Sequence, residues 1–208
     1  MNLQPKRKYT EEEYLQMELT ASYKSEYYKG EIFPTGEIEG KTPEAMAGAM
    51  PSHNAISSNI IISLGTKLRG KGCMTFNSDQ RLFIPATGLY TYPDISVYCH
   101  PLQYHDRMSL VNPVMLIEIL SKVSEGYDRG SKFEMYRSVS SLSEYVMVDS
   151  QRVHVELWRK ENSRWMLVME TNDVQEQIEF KSIENNFSLQ DFYFEALQMI
   201  SNLSQPAI

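Results

Sequence analysis

The chain has 208 residues, enough for one well-cored domain, and no shift in composition divides it into two. Charged residues make up 23% and apolar ones 42%, ordinary proportions for a soluble globular protein, and no apolar run is long enough to span a bilayer. A net charge of -7 argues against a protein that coats nucleic acid by bulk electrostatics, but it is compatible with an acidic site that binds cations. The polar, basic start from Met1 to Thr10 does not read as a signal peptide, so the expected location is the cytoplasm. Cys73 and Cys99 lack metal-ligand spacing and are expected as reduced thiols or small core residues.

In chain order, Lys6, Arg7 and Lys8 form a short basic arm, read with residues 1–8 as a solvated tail. Thr10 followed by Glu11, Glu12 and Glu13 predicts a capping box opening a helix to about Glu18. The stretch from Tyr27 to Phe33 reads as a strand entered through a glycine turn at Gly30, with Glu31 near its start. Pro34 to Pro51, rich in Gly, Pro and small residues, is expected as a mobile loop or an extended connection. Ser52, His53 and Asn54 precede Ile56, Ile60, Leu64 and Leu68, whose spacing gives an amphipathic helix that ends at Gly70 and Gly72. Strands are expected at Met74 to Asn77, Arg81 to Ile84 and Ile95 to Tyr98, the last headed by Tyr92-Pro93-Asp94.

A polar loop through Tyr104, His105 and Asp106 follows, long enough to flank a site. The run from Val114 to Leu120, a helix over about Ser131 to Val139 and a strand from Glu144 to Asp149 then have the pattern of a crossover onto a sheet. Alternation from Val153 to Glu170 predicts an antiparallel hairpin joined by Lys160 to Arg164. Ser188 caps a last short helix, and the tail at 203–208 is expected to fray. The chain contains no internal repeat and no glycine-rich phosphate loop.

The chemistry concentrates between Tyr92 and Lys132. Glu118 is embedded in Met-Leu-Ile-Glu-Ile-Leu, where an unpaired carboxylate would cost several kcal/mol, so it needs a cation, a proton or a metal. Asp94 heads the neighbouring strand, and Lys132 could return a positive charge to the strand ends. Two carboxylates on adjacent strands suit a hard ion such as Mg²⁺ or Mn²⁺, and an added lysine suits phosphodiester hydrolysis. Acyl transfer fits poorly, because the sequence shows no serine triad or nucleophile elbow. Plainer readings exist for each residue. Asp94 can cap a turn, Glu118 can be a buried partner of Lys132 with no metal, and Glu31 can be a solvated strand-opening acid. Lys122 is a rival for the lysine role, His53 a site-lining group, Asp128 a turn or cap, and Tyr136 a packing residue.

At these positions the sequence resembles the Uma-two family of restriction endonuclease-like proteins, within the PD-(D/E)XK nuclease superfamily. The resemblance rests on Tyr92-Pro93-Asp94-Ile95, Ile117-Glu118-Ile119-Leu120, Tyr127-Asp128-Arg129-Gly130-Ser131-Lys132-Phe133 with Tyr136, and Glu144 to Asp149. Glu26-Tyr27, Gly30-Glu31 and Ser52-His53-Asn54 also match, so it covers roughly Tyr9 to Glu170. It implies an α/β (α+β) restriction-endonuclease-like core with a mixed central sheet flanked by helices, and Asp94 and Glu118 as metal ligands. The superfamily's usual lysine, two residues after the glutamate, is replaced here by Leu120, and Lys132 matches the lysine on the following helix that is thought to substitute. Glu31 resembles an additional N-terminal acid of the family. The expectation is a single-domain, Mg²⁺- or Mn²⁺-dependent endonuclease acting on DNA, as a homodimer. The alternatives are a catalytically inactive nucleic-acid-binding or regulatory protein of the same fold, and a hydrolase of small phosphoesters.

Overall fold

The capping box predicted at Thr10 forms: its hydroxyl accepts the Glu13 N–H, and the Glu13 carboxylate accepts the Thr10 N–H, opening α1 (Glu11–Glu18). The structure, a computed structural model, describes residues 7–34, 50–122 and 124–203. Most of the Pro34 to Pro51 connection, residues 1–6 of the basic arm and the tail from 204 therefore lie outside the described residues. Within the described part of the arm, Arg7 ion-pairs with Glu13 at 2.9 Å and the Tyr9 N–H donates to the Gly30 carbonyl.

The segment read as one strand around Gly30 is a hairpin. β1 (Ser25–Tyr28) and β2 (Glu31–Pro34) pair antiparallel, with Tyr28 opposite Glu31. Lys29 and Gly30 turn the chain with φ of 49° and 86°, and a Cβ on Gly30 would meet Lys8 at 3.2 Å. The predicted helix follows as α2 (Pro51–Leu68), which buries Ile56, Ile60, Leu64 and Leu68 as their spacing requires.

The next strands divide between two sheets. β3 (Cys73–Asn77) joins the larger, whereas β4 (Arg81–Ile84) and β5 (Leu89–Thr91) pair with the N-terminal hairpin. β6 (Ile95–Cys99) returns to the larger sheet, β7 (Ser109–Leu110) closes the smaller one beside β4, and β8 (Pro113–Leu120) lies beside β6. A helical segment then leads into β9 (Glu144–Asp149), parallel to β8, and the β10 (Val155–Glu161) and β11 (Arg164–Thr171) hairpin turns at Asn162 and Ser163, both at positive φ. The larger sheet has the order β11-β10-β9-β8-β6-β3 and is mixed, antiparallel except between β8 and β9. The smaller has the order β2-β1-β5-β4-β7.

The connecting segment starts earlier than its sequence suggests. α3 (Glu125–Tyr127) passes through a π-type turn over Asp128–Lys132 into α4 (Phe133–Tyr136), and Gly130 departs from helical geometry at φ -101° and ψ -107°. A short hairpin, β12 (Gln177–Phe180) and β13 (Asn185–Ser188), precedes α5 (Leu189–Phe192), capped by Ser188 as expected, and α6 (Ala196–Leu203).

Alternation along β8 builds two cores. Met115, Ile117 and Ile119 join Ile56, Ile60, Phe180, Phe187 and Phe192 on one face. Leu116 and Leu120 join Leu82, Ile84, Phe133, Tyr136 and Tyr145 on the other. The fold is thus α+β, a mixed central sheet covered on both faces. One expectation is corrected: Cys73 and Cys99 form a disulfide, because β3 and β6 place them directly opposite each other. Twenty-six residues of separation carry no trace of that register in the sequence.

Candidate active site

The register of β6 and β8 assembles the two acids. Ile95 pairs with Ile117, so Asp94, one residue earlier, falls level with Glu118. The Asp94 N–H donates to Glu118 Oε2 at 3.3 Å, and Asp94 Oδ2 accepts the Ile119 N–H at 2.8 Å. Glu118 shares its strand face with Leu116 and Leu120 and so points under the connecting helix, where its side chain is 2% exposed; that of Asp94 is 24% exposed and opens the site to solvent.

Lys132 meets Glu118 there, its Nζ 2.8 Å from Oε1, and the Tyr136 hydroxyl donates to the same oxygen at 2.7 Å. Asp128, Lys132 and Tyr136 are spaced by four residues, so all three project from one side of the segment. Asp128 Oδ1 stands 3.5 Å from the ammonium. Each element is held in turn. Tyr145 donates to the Asp128 carbonyl, and its ring stacks on Phe133 with centroids 4.5 Å apart.

Burial pushes the Glu118 carboxyl up to about 8; Asp128 and Asp94 push the same way, against the opposing charge of Lys132. Asp94 goes the other way. Burial opposes its ionisation, but His53, whose Nε2 lies 3.4 Å from Oδ2, and the charge of Lys132 hold it below the usual carboxylate range. Lys132 is held well above its ordinary value: burial works against the charge, and Glu118, Tyr136, Asp128 and Glu26 outweigh it. The site therefore carries a permanent ammonium between acids of opposite tendency.

The structure brings together Asp94, Glu118 and Lys132 and places His53 on Asp94. Lys122 is exposed in the turn after β8. Glu31 opens β2 beside the hairpin turn, and Glu26 on β1 is an N-terminal acid whose charge reaches Lys132 and Tyr136. Glu26 accepts hydrogen bonds from the Thr91 and Tyr127 hydroxyls. Sequence reasoning gave Glu26, Asp128 and Tyr136 no part in the chemistry. The four-residue spacing of Asp128, Lys132 and Tyr136 was the available signal for two of them. His105 pairs with Glu11 at 3.0 Å and Asp106 with Arg81 at 3.3 Å, so the loop that carries them is tied to α1 and β4.

Two strand-borne acids and a helix-borne lysine on a mixed sheet define a restriction-endonuclease-like protein. The chain belongs to the Uma2 family, described as "Putative restriction endonuclease", whose model matches residues 11–190. It is 32% identical over 91% of its length to the protein slr1290 of Synechocystis sp., covering 93% of that protein, and 34% identical over 82% to sll1609 of the same organism, covering 92%. Its fold is similar to the crystal structure of a "putative nuclease" of the DUF820 group from Anabaena variabilis, with a TM-score of 0.64 at 18% identity, over 89% of this chain and 97% of that one. Among the described residues no helix is long and apolar enough to cross a membrane.

Proposed function

We propose that the protein is a Mg²⁺- or Mn²⁺-dependent endonuclease that hydrolyses phosphodiester bonds in DNA, with Asp94 and Glu118 as the metal ligands. The observation that carries the reading is the junction of those two carboxylates beside a charged, buried lysine. The donor set suits a hard cation. Among the described residues Asp94 Oδ1 accepts no hydrogen bond, Glu118 Oε2 accepts only the 3.3 Å bond from Asp94, and no third His, Cys, Asp or Glu is close enough to complete a cluster with them. Two carboxylates and several waters are the usual complement of Mg²⁺. Such an ion, when bound, lowers the pKa of a coordinated water and offsets charge on the phosphate.

Lys132 stays protonated in this environment, so it serves as a hydrogen-bond donor and a source of positive charge, not as a base. It would orient the attacking water or steady the charge that grows on the phosphoryl oxygens. Tyr136 fixes the Glu118 oxygen that faces Lys132, leaving Oε2 turned toward Asp94. His53 holds Asp94 ionised. Glu31 would assist from the N-terminal hairpin together with Glu26, whose charge reaches Lys132. A two-fold dimer would supply one site to each DNA strand.

The test is cleavage of supercoiled, linear and single-stranded DNA with Mg²⁺ or Mn²⁺, comparing wild type with Asp94→Ala, Glu118→Ala and Lys132→Ala chains checked for folding. Cutting by wild type alone is the expected result. A folded wild type that cuts nothing and binds neither ion would leave a binding protein, a reading favoured by Leu120 at the usual lysine position and by the Lys132–Glu118 pair. Preference for mononucleotides over polymers would shift the substrate to small phosphoesters.

A further inference from the structure

A second group of ligand-type side chains lies on the outer strands of the larger sheet. His154 precedes β10, Glu156 is on it, and Glu170 stands opposite Glu156 on β11. His154 Nε2 lies 3.0 Å from Glu156 Oε1 and 4.0 Å from Glu170 Oε1, and one donor atom from each residue falls within 4.8 Å of the others. His154 and Glu156 are buried, whereas the Glu170 side chain is 55% exposed and free to adjust.

The histidine is oriented from behind. Its Nδ1 lies 2.8 Å from Asn172 Oδ1, and its backbone N–H donates to the Tyr193 hydroxyl. A neutral imidazole has a single N–H. Donated to Asn172, that proton leaves the Nε2 lone pair aimed at two carboxylates, the arrangement of a metal-binding histidine with its outer acceptor. Two ligands about 2.1 Å from an ion in the tetrahedral arrangement usual for Zn²⁺ stand about 3.4 Å apart, so His154 Nε2 and Glu156 Oε1, 3.0 Å apart, would have to separate by only a few tenths of an ångström to share one.

We propose that His154, Glu156 and Glu170 form a second cation site, for an imidazole-preferring transition ion such as Zn²⁺. The ligand chemistry separates it from the Asp94–Glu118 pair, whose two proposed ligands are both carboxylates. Arg129 now neutralises this cluster, pairing with Glu156 Oε1 and, at 2.9 Å, with Glu125. Glu125 retains the guanidinium when an ion takes Glu156, and Trp158 Nε1 holds the other Glu156 oxygen at 3.3 Å. Because Arg129 sits in the π-type turn three residues before Lys132, occupancy would release a constraint on the segment that carries the catalytic lysine.

The experiment titrates Zn²⁺ into the full-length Asp94→Asn chain, which weakens the oxygen site, by calorimetry and by thermal unfolding. One ion per chain is expected, with affinity lowered tenfold or more by His154→Ala and by Glu170→Gln, raised by Arg129→Gln, and not reproduced by Mg²⁺. Glu170 is half-exposed, so its variant reads the site even where His154→Ala fails to fold. Absence of zinc uptake, undiminished affinity in Glu170→Gln, or weaker uptake in a folded Arg129→Gln chain would each overturn the proposal.

Discussion

Removing one partner of the Glu118–Lys132 pair should cost very different amounts depending on which partner goes. Glu118→Leu leaves a buried ammonium with Asp128 Oδ1 at 3.5 Å as its nearest acid, and stranding a buried charge costs about 3–5 kcal/mol. At this chain length each kcal/mol moves Tm by about 2–4 °C. Lys132→Met leaves Glu118 instead, an acid pushed up to about 8 even beside the lysine and higher without it, which escapes the penalty by keeping its proton. Its cost at neutral pH should therefore be smaller, and the gap to wild type should depend on pH only above the wild-type value. A carboxyl whose folded pKa lies above its unfolded one loses stability as pH rises from 4.5 to its folded value; in wild type that loss ends near 8 and without the lysine it continues, so Lys132→Met should run parallel to wild type up to about 8 and fall behind above it. Urea unfolding in the presence of a chelator, at pH values on either side of the wild-type Glu118 value of about 8, measures both variants and the Glu118→Leu/Lys132→Met double. The double should recover much of the Glu118→Leu loss, since no charge is stranded. Equal losses in the two single variants, or a Lys132→Met loss that shrinks as pH rises, would refute the reasoning.

Three further outcomes follow from the same geometry. Mn²⁺ at about a hundredfold excess over its dissociation constant should stabilise wild type by about 2.7 kcal/mol, seen as a rise in Tm that Asp94→Asn abolishes. Burial opposes ionisation of Asp106, but the Met108 and Ser109 N–H groups and Arg81 hold its carboxyl below the usual range. A depressed carboxyl adds stability above its unfolded value and loses it as pH falls through the folded one. Asp106→Asn should therefore be less stable than wild type at pH 7 by about 1 kcal/mol or more, with the gap closing below 3.8 in an acid titration followed by circular dichroism. Gly30→Ala combines a φ of 86° with a Cβ 3.2 Å from Lys8, and should lower stability by about 1–2 kcal/mol in a denaturant titration.

What the sequence disclosed was local in origin. The Thr10–Glu13 box, the Ile56–Leu68 stripe and the buried Glu118 each arise from residues within a few positions of one another, and all three stand in the structure. The five-stranded sheet was hidden, because β5 and β7 have three and two residues, too few to show a period, and the pairings of β5 with β1 and of β7 with β4 join segments far apart in sequence. Gly126 and Gly130 masked the start of the helix after β8, since two glycines in six residues argue against one. The site was half visible. Asp94, Glu118 and Lys132 were found from the oddity of a charge in an apolar run and from the family resemblance. Glu26 was passed over because nothing in a four-residue strand tells which acids its tertiary neighbours will surround. The Cys73–Cys99 link needed a register that only the folded sheet supplies.

The 2.8 Å contact between Lys132 and Glu118 also bears on how this family can change over time. Positions 118 and 132 are joined across a crossover, and either one altered alone leaves a chain that folds less well whether or not it cuts anything. Neutral drift at one is therefore blocked until the other moves, and the two should vary as a pair. Both can be retained for packing alone, so the presence of this lysine and glutamate in a relative is evidence of shared ancestry before it is evidence of activity. On the proposed function, Asp94, a quarter exposed and free of that contact, is the position whose replacement would mark the loss of that chemistry first.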